Sequence, residues 1–464
     1  MIRNIVLILI LASSIVRAQD TMHTVLDYET FINRVKTHHP ISRQSELQRE
    51  KGRANLTQAR GGFDPKFEGN VNQKYYSGKQ YYSYINGGLK VPTWFGITAQ
   101  GGYEINSGDY LNPSSRVPDD GLWYAGLNLS LGKGLIIDER RAELKKAKIY
   151  LKSAEIEQKF ILNELFYSAS NAYWEWFKAY SKMKIYEDAV LNAQIRFEGI
   201  KKSAFLGDKP LIDTLEAGIQ LQNRKISLLE CERDFQNKTN YLEVFLWEEG
   251  YIPLELDSTT IPVKPDQFVH SVIDQTIIES LDSLIIHHPK LIYSQNKIDM
   301  KTVDLRLKQQ TVLPTLDLKY NLISEPLGVD QFQEINISDY NWGVTMNYPL
   351  FTRKERGSLK LSNLQLEQDV LELQSKFEIV EYKVIQALNN WRVSTLQIEQ
   401  FRNITNDYKT LLEAEKKLFD IGESSLFLLN SREKSYIESQ LKLIDYMYEN
   451  QIARQLFHYE LVVP

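Results

Sequence analysis

The pattern of apolar and polar positions shows two kinds of segment, and each kind occurs twice along the chain. Short runs with alternating apolar and polar residues end near Leu131 and again near Leu350. Each run is followed by a very long stretch, Glu139 to Phe205 and Arg353 to Phe419, in which apolar residues recur at steps of three and four. Alternation predicts strands, and the longer steps predict amphipathic helices. The chain is therefore predicted to be a tandem repeat of strands followed by a long helical hairpin.

The strand runs are regular enough to predict which side chains lie on each face of a strand. In the second half, one face would carry Tyr340, Trp342, Val344, Met346, Tyr348 and Leu350, and the other Asn341, Gly343, Thr345, Asn347 and Pro349. Such runs are close to the ~9–11 residues of a tilted strand in a membrane barrel. A soluble sandwich would also give alternation. Aromatic residues at the run ends favour the barrel, where they would form interfacial girdles: Trp94, Tyr103, Trp123, Tyr124, Tyr340, Trp342 and Tyr348.

The first half contains more strand than the second. Its alternating runs cover Phe67 to Tyr75, Tyr81 to Val91, Phe95 to Ile105 and Leu122 to Leu131. The second half offers only two runs, so the first carries an additional hairpin. The polar stretches 106–121 and 324–338 separate paired strands and are predicted to be surface loops.

The helical segments are too long for a compact domain. A continuous helix from Glu139 to Phe205 would extend ~100 Å at 1.5 Å per residue. Its apolar spacing predicts a coiled-coil face. The return segments are about half as long, and each half also opens with shorter helices.

These patterns divide the chain as follows. Residues 1–18 are a signal peptide; 19–247 are the first repeat, with helices at 23–60, strands at 66–132, a long helix at 139–205 and a return helix at 211–247; 248–265 are a linker; 266–464 are the second repeat, with helices at 266–310, strands at 314–350, a long helix at 353–420 and a return helix at 426–460.

The N-terminus indicates export. Arg3 precedes the apolar stretch Ile5 to Ile15 and a small-residue cleavage site at Ala18, the pattern of a secretory signal. An anchor helix is the alternative, but the stretch falls short of the ~20 residues that span a bilayer. No later apolar run is long enough for a transmembrane helix, so any crossing would be made by strands. We therefore expect an outer-membrane location.

Composition and motifs narrow the chemistry. The formal net charge of −5 is spread evenly, which argues against nucleic acid as a partner. The single cysteine, Cys231, can form neither an internal disulfide nor a metal cluster. The repeated His38-His39-Pro40 and His287-His288-Pro289 superficially resemble a metal site, but a proline that breaks a helix in each repeat explains them better. Phosphate loops and nucleophile elbows are absent. We expect no enzyme activity, cofactor or metal.

The combination of signal peptide, duplicated strands and glycine-marked helix turns resembles the TolC-like outer membrane efflux proteins over essentially the whole mature chain. The residues that carry the resemblance are the turns LGDKPLID (206–213) and IGESSLFL (421–428) and the helix entries GLIIDERRAEL (134–144) and PLFTR (349–353).

The resemblance implies a mainly α fold with membrane β structure: a long α-helical coiled-coil barrel joined to a transmembrane β-barrel, both completed by homotrimerisation. Three chains giving four strands each would form a closed twelve-stranded barrel, which removes the edges that lipid does not tolerate. The implied partners are outer-membrane lipid, a periplasmic adaptor protein and an inner-membrane transporter of the RND or ABC type. The chain would then be multi-pass, with a large periplasmic part.

The resemblance also places candidate residues at the periplasmic helix turns. Gly207, Asp208, Lys209, Gly422, Glu423 and Ser424 would form the tip that contacts the adaptor. Asp213 would form a threefold carboxylate ring that favours cations. The second half departs from the family's pattern, because Leu428 stands at the corresponding position and Ser431 stands where another acid often occurs. We therefore expect a constriction that combines Asp213 with Leu428. The alternative for Asp213 is a helix-start residue that interacts with the free amides of the first turn.

Two classes of function are open at this point. The first is a passive exit duct that an inner-membrane pump and its adaptor recruit, used for small-molecule efflux or for type I protein secretion. The second is a non-transporting periplasmic or surface coiled-coil scaffold.

Overall fold

The computed structural model describes residues 24–265, 275–325 and 336–462. The helices are α1 Tyr28–His38, α2 Pro40–Arg60, α3 Glu139–Phe205, α4 Leu211–Glu243, α5 Gln275–Glu279, α6 Leu281–Ile286, α7 Pro289–Thr311, α8 Arg353–Asp420 and α9 Leu426–Leu461. The strands are β1 Thr24–Leu26, β2 Lys66–Tyr76, β3 Lys79–Pro92, β4 Ile97–Ser107, β5 Leu122–Ser130, β6 Trp247–Glu248, β7 Ile252–Pro253, β8 Thr260–Pro262, β9 Thr315–Ser324 and β10 Tyr340–Asn347. The predicted signal peptide, the start of the second repeat at 266–274 and most of the predicted loop 324–338 lie outside the described residues.

The described residues fall into two compact units. The sheet unit takes those within Gln44–Ile161 and Glu279–Lys383, and the helical unit takes those within Met1–Arg43, Leu162–Ile278 and Val384–Pro464.

The sheet unit contains one antiparallel sheet of six strands in the order β10-β9-β5-β4-β3-β2. Strands from the two halves of the sequence meet where β5 pairs with β9, in a register that places Leu127 opposite Tyr320. The resemblance implied four barrel strands per chain, and the described residues form one sheet of six, one strand for each alternating run of the sequence. The additional hairpin continues the ladder beyond β4, from Ser83 of β3 opposite Ser107 to Pro92 opposite Thr98.

The helical unit is held together by a core of aromatic and aliphatic side chains. Tyr173, Trp176 and Phe177 of α3 are almost fully buried there together with Leu246 and Ile398. Two polar groups in this core are paired, because the Tyr173 hydroxyl donates to the Leu26 carbonyl over 2.9 Å and the Trp176 indole donates to the Thr239 hydroxyl over 2.9 Å. Paired polar groups avoid the cost of burying an unmade hydrogen bond.

Helices α3 and α8 are continuous over 67 and 68 residues, and the return helices α4 and α9 over 33 and 36. The first return helix ends at Glu243, earlier than the predicted 247, because Trp247 pairs with Pro253 in a small β6–β7 hairpin. In the described part of the chain, no helix is both long and apolar enough to span a bilayer.

The repeated His-His-Pro motif caps helices. The Nδ1 atom of His39 accepts a hydrogen bond from the Ile41 amide over 3.1 Å, and Nδ1 of His288 accepts one from the Lys290 amide over 3.1 Å. Both histidines are buried, and each precedes the proline that begins α2 or α7. The first amides of a helix have no partner within the helix, and proline has no amide hydrogen that could be left unpaired. The histidine ring accepts from a second amide, so the two residues together reduce the number of unpaired donors at the helix start.

Replacing either capping histidine is expected to destabilise the protein. His39→Ala and His288→Ala should each lower the free energy of unfolding by about 1 kcal/mol, the usual contribution of a side-chain cap. Burial lowers the pKa of His39. Its contribution is therefore complete above the unfolded pKa of about 6.5 and declines as the pH falls below it. Urea unfolding at neutral and acidic pH measures both effects, and His38→Ala is the matched control that should leave the midpoint unchanged.

Candidate functional site

The six-stranded sheet presents one continuous apolar face. Register places these side chains on it: Phe67 and Val71 of β2, Ile85 and Leu89 of β3, Tyr103 and Ile105 of β4, Trp123 and Leu127 of β5, Leu318 and Tyr320 of β9, and Trp342 and Val344 of β10. The described residues leave most of them exposed: Phe67 exposes 79% of its surface and Trp342 60%. Soluble monomers rarely expose an apolar area of this extent, so the face is suited to lipid or to another apolar partner.

The opposite face of the same sheet is polar. The Gln100 amide donates to Oδ1 of Asn321 over 2.7 Å, and the Ser130 hydroxyl donates to the Asp317 carboxylate over 2.5 Å. The Lys90 ammonium pairs with Glu68 at 2.5 Å. A sheet with one apolar and one hydrated face is the arrangement that a membrane pore wall requires.

Most of the predicted interfacial aromatics lie on or beside the apolar face. Tyr103 and Trp123 pack with ring centroids 4.7 Å apart. Tyr340 and Trp342 lie on the same face, with 50% and 60% of their surfaces exposed. Trp94 lies in the turn before β4 and Tyr348 follows β10, outside the strands. Tyr124 differs from the others, because it lies on the polar face, where its hydroxyl donates to Oδ1 of Asn86 over 3.1 Å.

The two helix turns have the same geometry. Gly207 and Gly422 both have φ of 83°, the left-handed conformation that a helix C-terminus requires of a reversing residue. The amides after them close each helix in the same way, Asp208 onto the Ser203 carbonyl at 3.0 Å and Glu423 onto the Leu418 carbonyl at 2.9 Å. Both turns could therefore be located from the sequence, because glycine adopts this left-handed conformation more readily than other residues.

Two other turn residues are held by contacts near the helix ends. The Lys209 ammonium lies 4.2 Å from the centroid of the Phe419 ring, a cation–π contact between the two turns. The Ser424 hydroxyl donates to the Glu415 carboxylate. Beneath the turns, Ile200, Ala217 and Leu426 form a small buried cluster.

Asp213 lies in the first turn of α4, and its residue is partly exposed. The N-cap position belongs to Pro210, which makes no side-chain hydrogen bond. Leu428 and Ser431 are exposed on α9, while Leu426 and Leu429 of that helix are buried. The start of α4 and the start of α9 meet, because the Asn430 amide donates to the Glu216 carboxylate over 2.9 Å. This contact brings Asp213 and Leu428 into the same region.

A polar network links the two helical hairpins at this level. Arg196 of α3 donates to both carboxylate oxygens of Glu433 on α9, over 2.8 and 2.7 Å, and to Oδ1 of Asn430 over 3.1 Å. Asn430 continues the network to Glu216 of α4. The Glu433 side chain is only 9% exposed. Paired, planar contacts of this kind are the strong form of an ion pair. The sequence did not indicate this network, since the two residues of each hydrogen-bonded pair are more than 200 positions apart.

Comparisons with known proteins identify the fold. No protein-family model and no curated protein matches this sequence. Among solved structures, the chain is similar to the MtrE outer membrane channel of Neisseria gonorrhoeae in its open state, with 13% identity, a TM-score of 0.68 and coverage of 94% of this chain and 88% of that one. It is also similar to the outer membrane protein VceC of Vibrio cholerae, with 14% identity, a TM-score of 0.64 and coverage of 93% and 95%. The CmeC outer membrane channel of Campylobacter jejuni is similar as well, with 14% identity, a TM-score of 0.63 and coverage of 93% of this chain and 85% of that one.

Likeness at such low identity shows the fold. The chain has the fold of these outer membrane channels over nearly its whole length, which confirms the resemblance to TolC-like proteins for the fold of the single chain; completion of the two barrels by three chains stays a prediction.

Proposed function

We propose that this chain is an outer-membrane exit duct, and that three copies form one conduit. The observation that carries the proposal is the six-stranded sheet with one exposed apolar face and one hydrogen-bonded polar face. Lipid would cover the first face, and the second would line the pore. The similar solved structures, which are described as outer membrane channels, support the same conclusion.

The duct conducts passively. The sequence has no phosphate-binding loop. Energy therefore comes from an inner-membrane transporter of the RND or ABC type, which a periplasmic adaptor connects to the helix turns. The two sequence repeats each supply one helical hairpin, α3/α4 and α8/α9, and the linker 248–265 joins them.

In this proposal the turns at Gly207 and Gly422 form the periplasmic tip. The exposed groups around them, Asp208, Lys209, Glu423 and Ser424, would contact the adaptor. The cargo is a small molecule or an exported protein, according to the transporter that is recruited.

Membrane extraction and electrophysiology test the proposal. After expression in a Gram-negative host, the protein should stay in the outer-membrane fraction through carbonate and high-salt washes. It should migrate as a heat-modifiable trimer and produce discrete conductance steps in a planar bilayer. Release by carbonate, or a protein that is only monomeric, would instead support a coiled-coil scaffold.

A further inference from the structure

We propose that the additional β2–β3 hairpin is part of the barrel wall, and that β2 of one copy pairs with β10 of the next. This inference rests on the proposed trimeric duct. Three chains of six strands each then close an eighteen-stranded barrel rather than a twelve-stranded one. Barrels of this size enclose an aqueous channel.

The apolar and polar faces of the sheet continue into the hairpin. Phe67 of β2 lies opposite Leu89 of β3, and Val71 lies opposite Ile85. Phe67 and Val71 are 79% and 63% exposed, on the face that also carries Trp342. A hairpin that folded into the pore or over the outside of the barrel would have no reason to keep this alternation in phase with the other four strands.

The Tyr124 side chain connects the hairpin to the rest of the sheet. Tyr124 of β5 crosses β4 over Gly102 and reaches β3, where its hydroxyl donates to Asn86. A Cβ added at Gly102 would come within 2.5 Å of the Tyr124 hydroxyl oxygen, and one added at Gly88 within 2.7 Å. The glycines therefore make room for a ring that spans three neighbouring strands on the polar face.

Each edge of the sheet is formed by a strand with one neighbour among the described strands. Among the described strands, β2 pairs only with β3 and β10 pairs only with β9. Every residue of both edge strands is exposed. Backbone groups at an open edge cannot be left unpaired in lipid. Since each strand in the sheet is antiparallel to its neighbour, β2 and β10 run in opposite directions and can close an all-antiparallel barrel.

A twelve-stranded barrel would need β4 as the edge strand. In the structure that edge of β4 is occupied by β3 from Thr98 to Ser107. The choice of edge therefore decides the number of strands, and it can be tested directly.

Disulfide cross-linking distinguishes the two edges. In a Cys231→Ser background, Asn70 of β2 is changed to cysteine together with Asn341, Gly343, Thr345 or Asn347 of β10, one pair at a time. All these positions lie on the polar face. Adjacent strands are about 4.8 Å apart, within the Cα separation of about 4.4–6.8 Å that a disulfide spans. Two strands with another strand between them are too far apart for a disulfide. We expect oxidation to give covalent dimers and trimers for at least one pair.

Two matched variants complete the experiment. Glu104→Cys on β4 with the same β10 partners represents the twelve-stranded barrel, and Asn70→Cys with Asn86→Cys is a pair within one chain that shows that oxidation works. Covalent trimers from the β4 pairs would overturn the inference. So would intact trimers in which the Asn70–Asn86 pair oxidises but no β2–β10 pair does. A protein that forms no trimer at all would instead contradict the proposed function.

Discussion

Replacing Arg196 with alanine is expected to raise the conductance of the proposed channel several-fold. The guanidinium holds the nearly buried Glu433 through two hydrogen bonds of 2.8 and 2.7 Å, and so joins the α3/α4 hairpin to the α8/α9 hairpin close to their turns. Without it, a carboxylate is left in a poorly hydrated position, which is strongly unfavourable. The hairpins should then separate at the tip. Single-channel recording in a planar bilayer measures the change.

The chain offers a matched control for this experiment. Lys434 and Glu438 form an exposed ion pair on the same helix, with 68% and 63% of their side chains accessible and a separation of 3.8 Å. Such pairs contribute little, so Lys434→Ala should leave conductance and stability unchanged.

A charge-swapped double variant separates the ion pair from packing. Arg196→Glu with Glu433→Arg should bring the conductance part of the way back to that of the unmodified protein, whereas either single change should not. In a double-mutant cycle on unfolding, the pair should show a coupling of about 1.5–3 kcal/mol. Single variants that conduct like the unmodified protein would show that this network does not hold the tip closed.

Local sequence patterns were sufficient to predict the helices and strands, but not to predict which strand pairs with which. The alternation from Tyr340 to Leu350 contains β10, which ends at Asn347, and the long steps of three and four coincide with α3 and α8. Gly207 and Gly422 were placed for the same reason, because each satisfies a local conformational demand. Periodicity reports which face of an element is covered, and it carries no information about which strand is next to which. The six-strand ladder therefore appeared only in the structure.

Alternation places adjacent strand residues on opposite sides of a sheet. It groups Trp123 with Leu127 on the apolar side and leaves Tyr124 on the polar side. Only the structure adds the partners, Tyr103 for Trp123 and Asn86 for Tyr124. The Arg196 network was missed because a partner 237 positions away leaves no local pattern.

Replacing Asp213 with asparagine is expected to reduce the cation preference of the channel towards none. Three carboxylates brought together by threefold symmetry would create a negative potential at the narrow end of the conduit, and the neutral amide removes it while keeping the shape. Asp213 is partly exposed in the first turn of α4, and Pro210 occupies the N-cap position. Reversal potentials in a salt gradient measure the preference, and Asp213→Glu should retain it.

The alternative role of Asp213 predicts a different result from the same variant. If the carboxylate only stabilises the start of α4, Asp213→Asn should lower the free energy of unfolding by about 0.3–1 kcal/mol and leave ion selectivity unchanged. Asp208→Asn is the matched control, since Asp208 is an exposed carboxylate in the adjoining turn. A loss of selectivity that is equally large in both variants would indicate a general charge effect of the tip. A loss confined to Asp213→Asn would locate the constriction at the first turn of α4.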